Sequence, residues 1–393
     1  MSRPKQSFWH SRPVLITGGA SFIGSHLADK IVQMGARVTI VDNLSSGTLE
    51  NLELIRNKIA FCQMDLEYSN LSQLKDVFAG NEIVFHLAAV HGGRGYIQYH
   101  PAEVSSNFAI DHHVLDASAA TDVEKVVFAS SACVYPPHLQ KNVGSKYLLR
   151  EEDSDITDLK QELSADVEYG WAKLMGEVQL NAFVKQYGLG GCSLRFVTTY
   201  GPRENETHAI IALIYKALER MDPYAIWGDG EQERDFTYVS DIVEGTILAA
   251  ERVRDGTAIN LGTGNRFKLK DVAQRIFDML DWHPQHIYFD TSRPVGVVSR
   301  ALDISRANEL LGWKPKVSLT QGLRTTIEDY TKNHLRQGRI DETILVEQHS
   351  TLHESNEVPF GRPRVASSLG NQYPTNGIEH GSKRWIVENN SHK

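Results

Sequence analysis

Short apolar runs alternate with helical stretches through the first two hundred residues of the chain. A short apolar run without polar alternation is typical of a parallel strand that is buried on both faces. Such runs predict strands at residues 14–17, 38–41, 59–64, 83–87, 125–129 and 193–199, and helical spacing predicts helices at 24–35, 107–120 and 168–188. Strands that alternate with crossover helices predict a doubly wound parallel α/β sheet.

The regular alternation of predicted strands and helices ends after Gly201. The patterns predict helices at 209–221, 241–253 and 269–280, short strands at 225–227 and 258–261, and two further patterned segments at 302–311 and 319–330. These segments predict a smaller C-terminal α/β lobe that caps the carboxyl edge of the sheet and binds substrate. The predicted division is a dinucleotide-binding domain at 13–201, with strand returns from later residues, and a substrate lobe at 202–330. Residues 331–393 are polar and predict a poorly packed tail or a subunit arm.

Composition and charge narrow the class of protein. The chain has 393 residues, 41% hydrophobic and 23% charged, which is enough to bury the cores of two lobes. Its net charge of −8 argues against a general nucleic-acid or membrane-surface binder, so local arginines must hold an anionic substrate. The first thirteen residues are polar and predict no signal peptide, and no apolar run predicts a membrane span.

The cysteines and histidines suggest neither disulfides nor a metal site. Cys62, Cys133 and Cys192 are far apart and odd in number, which fits neither a disulfide framework nor a zinc cluster and favours a reducing cytoplasm. No metal is predicted, because the remaining candidates lack metal-ligand spacing and are expected to be structural or surface residues: His91, His100, His112 and His113.

The first predicted strand leads into a glycine-rich turn at residues 17–24. Such a turn places free helix N–H groups and the positive end of the helix dipole against a pyrophosphate. Gly18 permits the turn and Gly24 lets the helix approach the strand, whereas Ser21 stands where a glycine is usual. The next strand ends in Asp42, and a carboxylate there accepts hydrogen bonds from both ribose hydroxyls and repels a 2′-phosphate. The sequence therefore predicts NAD rather than NADP.

Tyr169 and Lys173 lie four residues apart in a predicted helix and so share one face. There the ammonium is expected to lower the pKa of the phenol from its usual value of about 10. A phenolate held in this way can remove a hydroxyl proton while a nicotinamide takes the carbon-bound hydride. Ser131 and Cys133, which follow a predicted strand, bring a hydroxyl and a thiol to the same edge of the sheet.

Several motifs, in this order, resemble the extended short-chain dehydrogenase/reductase family that acts on nucleotide-sugars. The resemblance covers roughly residues 13–330 and rests on segments 17–24, 42–43, 86–89, 130–135, 169–173, 200–202 and 234–241. It implies a Rossmann fold, a nucleotide-diphosphate sugar as substrate, and a homodimer formed through helices 107–120 and 168–188. It implies catalysis by Ser131, Tyr169 and Lys173. The implied cofactor-binding residues are Gly18, Ser21, Phe22, Ile23, Gly24, Asp42, Asn43, Asp65, Leu66, Leu87, Ala88, Ala89, Asn107, Tyr169 and Lys173, and the substrate-binding residues are Gly93, Arg94, Ser131, Thr198, Arg234 and Arg300.

The residues after the triad serine suggest which reaction the chain performs. Members that dehydrate the sugar carry an Asp-Glu pair there, whereas this chain has Ala132-Cys133. The segment 130–136 resembles GDP-mannose 3,5-epimerases and GDP-L-fucose synthases, which use a cysteine here and a second acid/base after Tyr-Gly-Pro, here His208. A thiol with pKa about 8.5 and an imidazole with pKa about 6.5 suit acid/base work near neutral pH. We therefore expect an NAD-dependent nucleotide-sugar epimerase that deprotonates the sugar at C3 and/or C5, through a transient 4-keto sugar.

Three alternatives remain open from the sequence. The chain is a simple C4 epimerase if Cys133 only packs and the sugar rotates before the hydride returns. A 4-keto-sugar epimerase/reductase is the second alternative, although Asp42 disfavours it because reductases usually take NADPH. A catalytically dead NAD sensor is the third, and the intact Ser131, Tyr169 and Lys173 argue against it.

Overall fold

The computed structural model describes residues 8–158, 160, 162–336 and 384–385. Its strands are β1 Pro13–Thr17, β2 Arg37–Asp42, β3 Ile59–Gln63, β4 Ile83–His86, β5 Lys125–Ser131, β6 Gly190–Phe196, β7 Thr198–Tyr200, β8 Tyr224–Trp227, β9 Glu233–Arg234, β10 Phe236–Tyr238, β11 Asp255–Leu261, β12 Phe267–Lys268, β13 Ile287–Asp290, β14 Ser299–Arg300 and β15 Arg384–Trp385. Its helices are α1 Phe22–Gln33, α2 Leu71–Phe78, α3 Arg94–Tyr99, α4 Pro101–Ser105, α5 Asn107–Ala120, α6 Val167–Tyr187, α7 Ala209–Leu218, α8 Val239–Arg252, α9 Leu269–Leu280, α10 Ser305–Leu311 and α11 Leu319–Arg336.

The predicted doubly wound sheet is confirmed. Seven parallel strands lie in the order β11-β6-β5-β4-β1-β2-β3. The chain leaves β1 toward β2 on one side and later returns to place β4 on the other side. Ligands of open α/β sheets bind outside the carboxyl ends of the strands at this switch point. Loops that follow β1, β4 and β5 therefore line one common cleft.

Helices cover both faces of the sheet. Helices α1, α8 and α10 pack on one face, and α2, α5 and α6 pack on the other. Helix α6 ends where predicted, because Gly188 adopts the left-handed conformation with φ of 70°. Helix α2 begins with a capping box in which Asn70 and Gln73 exchange side-chain and backbone hydrogen bonds. No helix in the described part of the chain is long and apolar enough to cross a membrane.

The predicted strand at 193–199 is two strands. β6 begins at Gly190 and ends at Phe196, and β7 begins at Thr198. The apolar pattern continues through Val197, which is buried, so the pattern does not mark the break. β7 leaves the main sheet and pairs in parallel with β10. The carboxyl end of β6 therefore leads directly into the second half of the molecule.

A second hydrophobic core lies among the later elements. Helices α7, α9 and α11 bury their apolar faces there against β8 and β10. However, β11 joins the main sheet, and α8 and α10 pack into the first core. The residues after Gly201 thus contribute to both cores, and the division into domains at that residue stays a prediction.

Helix α11 continues six residues past the predicted boundary at Tyr330, to Arg336. Within the predicted tail, β15 pairs antiparallel with β3 at the edge of the main sheet. The rest of the predicted tail lies outside the described residues.

Candidate active site

The turn after β1 is held in the shape that a pyrophosphate needs. Gly18 has φ of +70°, and a Cβ there would lie 2.8 Å from the backbone nitrogen of Ala88. A Cβ on Gly24 would lie 2.1 Å from the carbonyl oxygen of Gly18, so helix and turn touch through glycine. The Ser21 hydroxyl donates to the Gly18 carbonyl at 2.6 Å, so it stabilises the turn from within. Phe22 and Ile23 form the first turn of α1, and their N–H groups face the N-terminal end of the helix.

Asp42 lies at the end of β2, where an NAD ribose is expected. Its two carboxylate oxygens accept from the backbone N–H groups of Ala20 and Leu44 at 2.9 and 2.8 Å. Each oxygen keeps a second acceptor position for a ribose hydroxyl. Burial raises the pKa of Asp42, and these backbone hydrogen bonds counter the rise. Beside it, the exposed Asn43 amide donates to Asp65 at 3.0 Å, so the predicted adenosine residues lie together.

The loop after β4 forms the floor of the cleft. Leu87 and Ala88 donate their N–H groups to Thr17, which ties the loop to β1. Asn107 exchanges hydrogen bonds with both backbone groups of Val90 at 2.8 Å and donates also to Val104. The Asn107 amide is thus bound to main chain, so it fixes the loop rather than presenting the amide to a ligand. Direct contact of Asn107 with the cofactor stays a prediction.

Ser131, Tyr169 and Lys173 are brought together at the carboxyl end of β5. The Ser131 hydroxyl is hydrogen-bonded to the phenol of Tyr169 and accepts the N–H of Cys133 at 3.1 Å. The Lys173 ammonium is buried 4.7 Å from the centre of the Phe128 ring and has no hydrogen-bond partner in the described chain. A buried ammonium without a partner is costly. The ribose hydroxyls of a bound NAD are partners that would relieve this cost, so the site fits the predicted cofactor.

The expected lowering of the Tyr169 pKa is wrong for the protein without ligands. Burial, together with Cys133 and Asp111, raises the pKa of Tyr169 above its usual range. The physical reason is desolvation, since the buried phenol loses the water that would stabilise its anion, and burial lowers the pKa of Lys173 as well. Activation of Tyr169 therefore requires that Lys173 be charged and solvated by a ligand.

Cys133 lies in polar surroundings just after β5. Nη1 of Arg300 donates to its Sγ at 3.2 Å. Nη2 of the same guanidinium binds Asp166 at 2.9 Å, and its Nε donates to the Gln140 amide oxygen at 2.6 Å. Arg94 binds the other oxygen of Asp166 at 2.8 Å. Burial disfavours a charged Asp166, but Arg300 and Arg94 outweigh burial and hold the pKa of Asp166 below its usual range.

Arg234 and Arg300, two of the predicted substrate-binding residues, lie close together but have different hydrogen-bond partners. Burial, and to a smaller extent the charge of Arg300, lowers the pKa of Arg234 to about 10. Arg234 therefore lies near this cluster. Its guanidinium donates to the carbonyls of Glu233 and Val295. The guanidinium of Arg300 donates hydrogen bonds to Cys133, Asp166 and Gln140. In this structure Arg300 is therefore a partner of the cysteine. Thr198 is half-buried at the start of β7, and its role stays a prediction.

The segment that carries the predicted substrate residues Gly93 and Arg94 is partly helical. Gly93 precedes α3, and Arg94 is the first residue of that helix. The Gly93 N–H donates to the Thr207 hydroxyl at 3.4 Å, and a Cβ on Gly93 would lie 2.0 Å from the Thr207 carbonyl oxygen. Only glycine therefore lets this loop approach the one that carries His208.

His208 precedes α7 and faces His91, with ring centroids 6.0 Å apart. Burial and the neighbouring His91 lower the pKa of His208 to about 3. Burial and Lys173 lower the pKa of His91 to about 4. Nδ1 of His208 lies 3.5 Å from Oε1 of Glu204, whose side chain is only 4% exposed. His208 thus reaches the triad indirectly, through His91 and Lys173.

Sequence reasoning missed Gln140, Asp166 and Glu204 and took His91 as structural or surface. Asp166 lies 134 residues from Arg300 and Gln140 lies 160 residues from it, so no local pattern connects them. The available signal for Asp166 was its position directly before a helix that carries the catalytic pair.

The fold and this site define a dinucleotide-dependent α/β enzyme that combines a Tyr–Lys pair with a thiol. The chain belongs to the NAD dependent epimerase/dehydratase family, whose model matches residues 14–262. A putative UDP-glucose 4-epimerase of Methanocaldococcus jannaschii is 32% identical over 327 residues, which cover 82% of this chain and 99% of that protein. GDP-mannose 3,5-epimerase 1 of Oryza sativa subsp. japonica is 29% identical over 333 residues, 82% of this chain and 83% of that protein.

A solved structure of a relative has the same fold. UDP-glucose 4-epimerase of Thermotoga maritima, bound to UDP-glucose, superposes with a TM-score of 0.72 at 31% identity. The match covers 82% of this chain and 99% of that one. The predicted family and its use of NAD are confirmed.

Proposed function

We propose that this chain epimerises a nucleotide-diphosphate sugar at C3 and/or C5, through a transient 4-keto sugar. The observation that carries the proposal is the hydrogen bond from Arg300 to the Cys133 sulfur at 3.2 Å. A cysteine that only packs is usually buried among apolar groups and inert. Cys133 is half-buried, lies two residues after the triad serine and accepts a hydrogen bond from a guanidinium, which is the polar setting of reactive cysteines.

The first half of the reaction takes place at C4 of the sugar. When bound, NAD accepts the hydride from C4 and later returns it. Tyr169 takes the proton of the C4 hydroxyl, and Ser131 donates a hydrogen bond to the same oxygen. Lys173 binds the nicotinamide ribose, and its charge then favours the phenolate of Tyr169.

The second half inverts a neighbouring carbon. A ketone at C4 acidifies the hydrogens at C3 and C5, so a side chain of moderate basicity can remove one. Cys133 and His208 are the two groups proposed for this work, one to remove a proton and one to return it to the opposite face. Return of the hydride from bound NADH to C4 would make the cycle redox-neutral, with no net use of cofactor.

Local arginines supply the charge for an anionic substrate. Arg234 and Arg94 lie beside the cysteine cluster in a chain whose net charge is −8. Planar guanidinium groups bind phosphate oxygens in pairs. We assign Arg234 to the diphosphate and leave Arg300 with Cys133 and Asp166.

The second candidate is a simple C4 epimerase. Relatives named as UDP-glucose 4-epimerases are 32% and 31% identical to this chain, slightly above the GDP-mannose 3,5-epimerase at 29%. In such an enzyme the sugar turns over between removal and return of the hydride, and Cys133 has no proton to transfer. The two candidates therefore differ in solvent exchange at C3 and C5.

The test is incubation in D₂O with GDP-mannose, UDP-glucose and UDP-glucuronic acid, read by NMR and mass spectrometry. The proposal predicts deuterium at C3 or C5 of one of these sugars, and no deuterium with the Cys133→Ser variant. Cys62→Ser is the matched control, since Cys62 lies in β3. Inversion at C4 without deuterium from solvent would establish the C4 epimerase instead.

We also propose that the enzyme is a homodimer, formed through α5 and α6. Trp171 and Met175 lie four residues apart on α6, each 41% exposed, and Phe108 on α5 is 37% exposed. Large apolar side chains in one exposed patch favour a protein partner. Trp171→Glu with Met175→Glu should convert a dimer into a monomer in analytical ultracentrifugation, while Leu54→Glu, at a position 80% exposed, should not.

The three free thiols favour a reducing compartment such as the cytoplasm.

A further inference from the structure

One buried carboxyl near the site has no role in the reaction described so far. Glu204 lies in the loop between β7 and α7, and its side chain is only 4% exposed. Its Oε2 atom is buried without a hydrogen-bond partner among the described residues. Buried carboxyls are normally paired, and an unpaired one in a cleft points to a function.

The geometry connects Glu204 to His208. Oε1 of Glu204 lies 3.5 Å from Nδ1 of His208, a distance that a small rotation of either side chain would turn into a hydrogen bond. Tyr330 of α11 donates its hydroxyl to the Glu204 carbonyl and holds the backbone of this loop in place. The His208 side chain is 25% exposed, whereas the carboxyl behind it is enclosed. Nδ1 also lies 3.2 Å from Oδ1 of Asn205, so it must exchange this partner for the Glu204 carboxyl before it can take a proton. Nε2 of His208 is then the nitrogen left to face a substrate.

His208 by itself is a poor source of protons in this position. Burial and His91 lower its pKa to about 3, so the imidazole is neutral near pH 7. A neutral imidazole gives up its remaining N–H readily only when its other nitrogen receives a proton at the same time. Burial raises the pKa of Glu204 well above its usual range, so the group beside Nδ1 carries such a proton.

We propose that Glu204 and His208 act together as the proton donor opposite Cys133, with Glu204 supplying the proton that His208 passes to the sugar carbon. This inference rests on the proposed function and assigns the base and the acid within it. Cys133 is the base, and His208 is the catalytic residue that touches the substrate. Glu204 acts through His208 and is a positioning residue.

The step balances in atoms and charge. The Cys133 thiolate takes the proton from C3 or C5, which gives a thiol and an enolate. Nε2 of His208 then gives its proton to the enolate carbon while Nδ1 takes the proton of the Glu204 carboxyl. A C–H bond forms, the imidazole stays neutral in its other tautomer, and the negative charge moves from the enolate to Glu204. Before the next turnover Cys133 releases its proton to solvent, Nδ1 returns its proton to the Glu204 carboxylate, and Nε2 takes a proton from solvent.

Other titratable groups surround the pair. His91, from the loop after β4, faces the His208 ring, and Lys173 of α6 acts on His91. Tyr330 of α11 lies near Glu204, and Glu206 of the same loop and Asp329 of α11 also act on its phenol. None of these places a positive charge next to Glu204, so nothing in this set opposes its protonated form.

The experiment compares inversion with exchange in D₂O, using whichever of GDP-mannose, UDP-glucose and UDP-glucuronic acid the wild type labels. In Glu204→Gln, Cys133 still removes the proton and returns a deuteron to the same face. Inversion should therefore fall about 10²-fold while label in the uninverted sugar persists. Glu206→Gln, an exposed position on the same loop, should leave both rates unchanged. In the wild type, the ratio of inversion to exchange should fall as rising pH ionises Glu204, and in Glu204→Gln it should be independent of pH.

Each contrary result has a distinct meaning. If exchange and inversion fall together in Glu204→Gln, the residue only supports the loop, and the proton-donor role is overturned. An unchanged ratio in Glu204→Gln overturns it as well. A wild type that labels none of the three sugars overturns the proposed function, and the inference with it.

Discussion

The half of the site that faces the cofactor is made of main chain, whereas the half that faces the sugar is made of side chains from distant segments. In the cofactor half, residues 17–24, 41–42 and 86–90, glycines and backbone N–H groups shape the surface. In the sugar half, Arg300 binds Cys133 and Asp166 across 167 and 134 residues of sequence. The cofactor half thus needs small residues in one order along the chain. The sugar half can change its reaction by exchanging a few side chains.

Lys173, the side chain proposed to bind the nicotinamide ribose, gives the largest expected effect and tests hydride transfer. Lys173→Met should lower kcat by about 10²–10⁴-fold, because Tyr169 loses the charge that favours its phenolate. The same change should raise the free energy of unfolding of the NAD-free protein, because the buried ammonium has no partner. Urea unfolding and steady-state kinetics measure the two effects. Lys185→Met, an exposed position on the same helix, is the control for both.

A buried ion pair supports the strand that carries the sugar half. Arg195 binds Glu177 through two nitrogens at 2.9 and 2.7 Å, and Glu177 also accepts the Ser130 hydroxyl at the end of β5. Arg195→Met leaves Glu177 buried and unpaired, so unfolding free energy should fall by about 3–5 kcal/mol. Chemical denaturation checks this. Arg56→Met, which breaks the exposed pair with Glu53, should cost less than about 1 kcal/mol. Equal losses in the two variants would contradict a structural role for the buried pair.

Arg300 offers a smaller effect with a defined pH dependence. Because Arg300 and Arg94 hold the pKa of Asp166 low, the ionised carboxylate stabilises the fold above its unfolded pKa of about 3.9. That stabilisation is lost as pH falls through the folded pKa. Arg300→Met should cost about 1–3 kcal/mol at neutral pH, and the difference from wild type should shrink as pH falls below about 4. Urea midpoints across this range measure it, with the exposed Arg293→Met as control.

The elements that sequence predicted best are those with local signals. Helix α5 has its predicted bounds, because the spacing of apolar residues is a local feature of the sequence. Helix α6 stops at Gly188, because a glycine that can adopt the left-handed conformation is also a local signal. The break at Val197 gives no such signal, since Val197 is itself apolar and buried, like the strand before it. Helix α3, at Arg94–Tyr99, is not among the predicted helices.

The residues of the candidate site also differ in whether a local sequence signal predicts them. Spacing alone brought out Gly18, Gly24 and the pair Tyr169–Lys173, since each lies within one turn or one helix. Asp166 and Glu204 were missed, because their importance comes from partners and burial that only the folded chain creates. The raised pKa of Tyr169 has the same origin, since desolvation depends on tertiary packing.

The central claim is that the cofactor half transfers hydride and the sugar half transfers protons, as separable functions. The most direct measurement is a single turnover of Cys133→Ser with the active nucleotide-sugar in D₂O, following NADH absorbance and carbon-bound deuterium together. The account predicts that NADH still appears transiently and that no deuterium enters C3 or C5. Deuterium incorporation equal to that of the wild type would contradict the account, because Cys133 would then have no part in proton transfer.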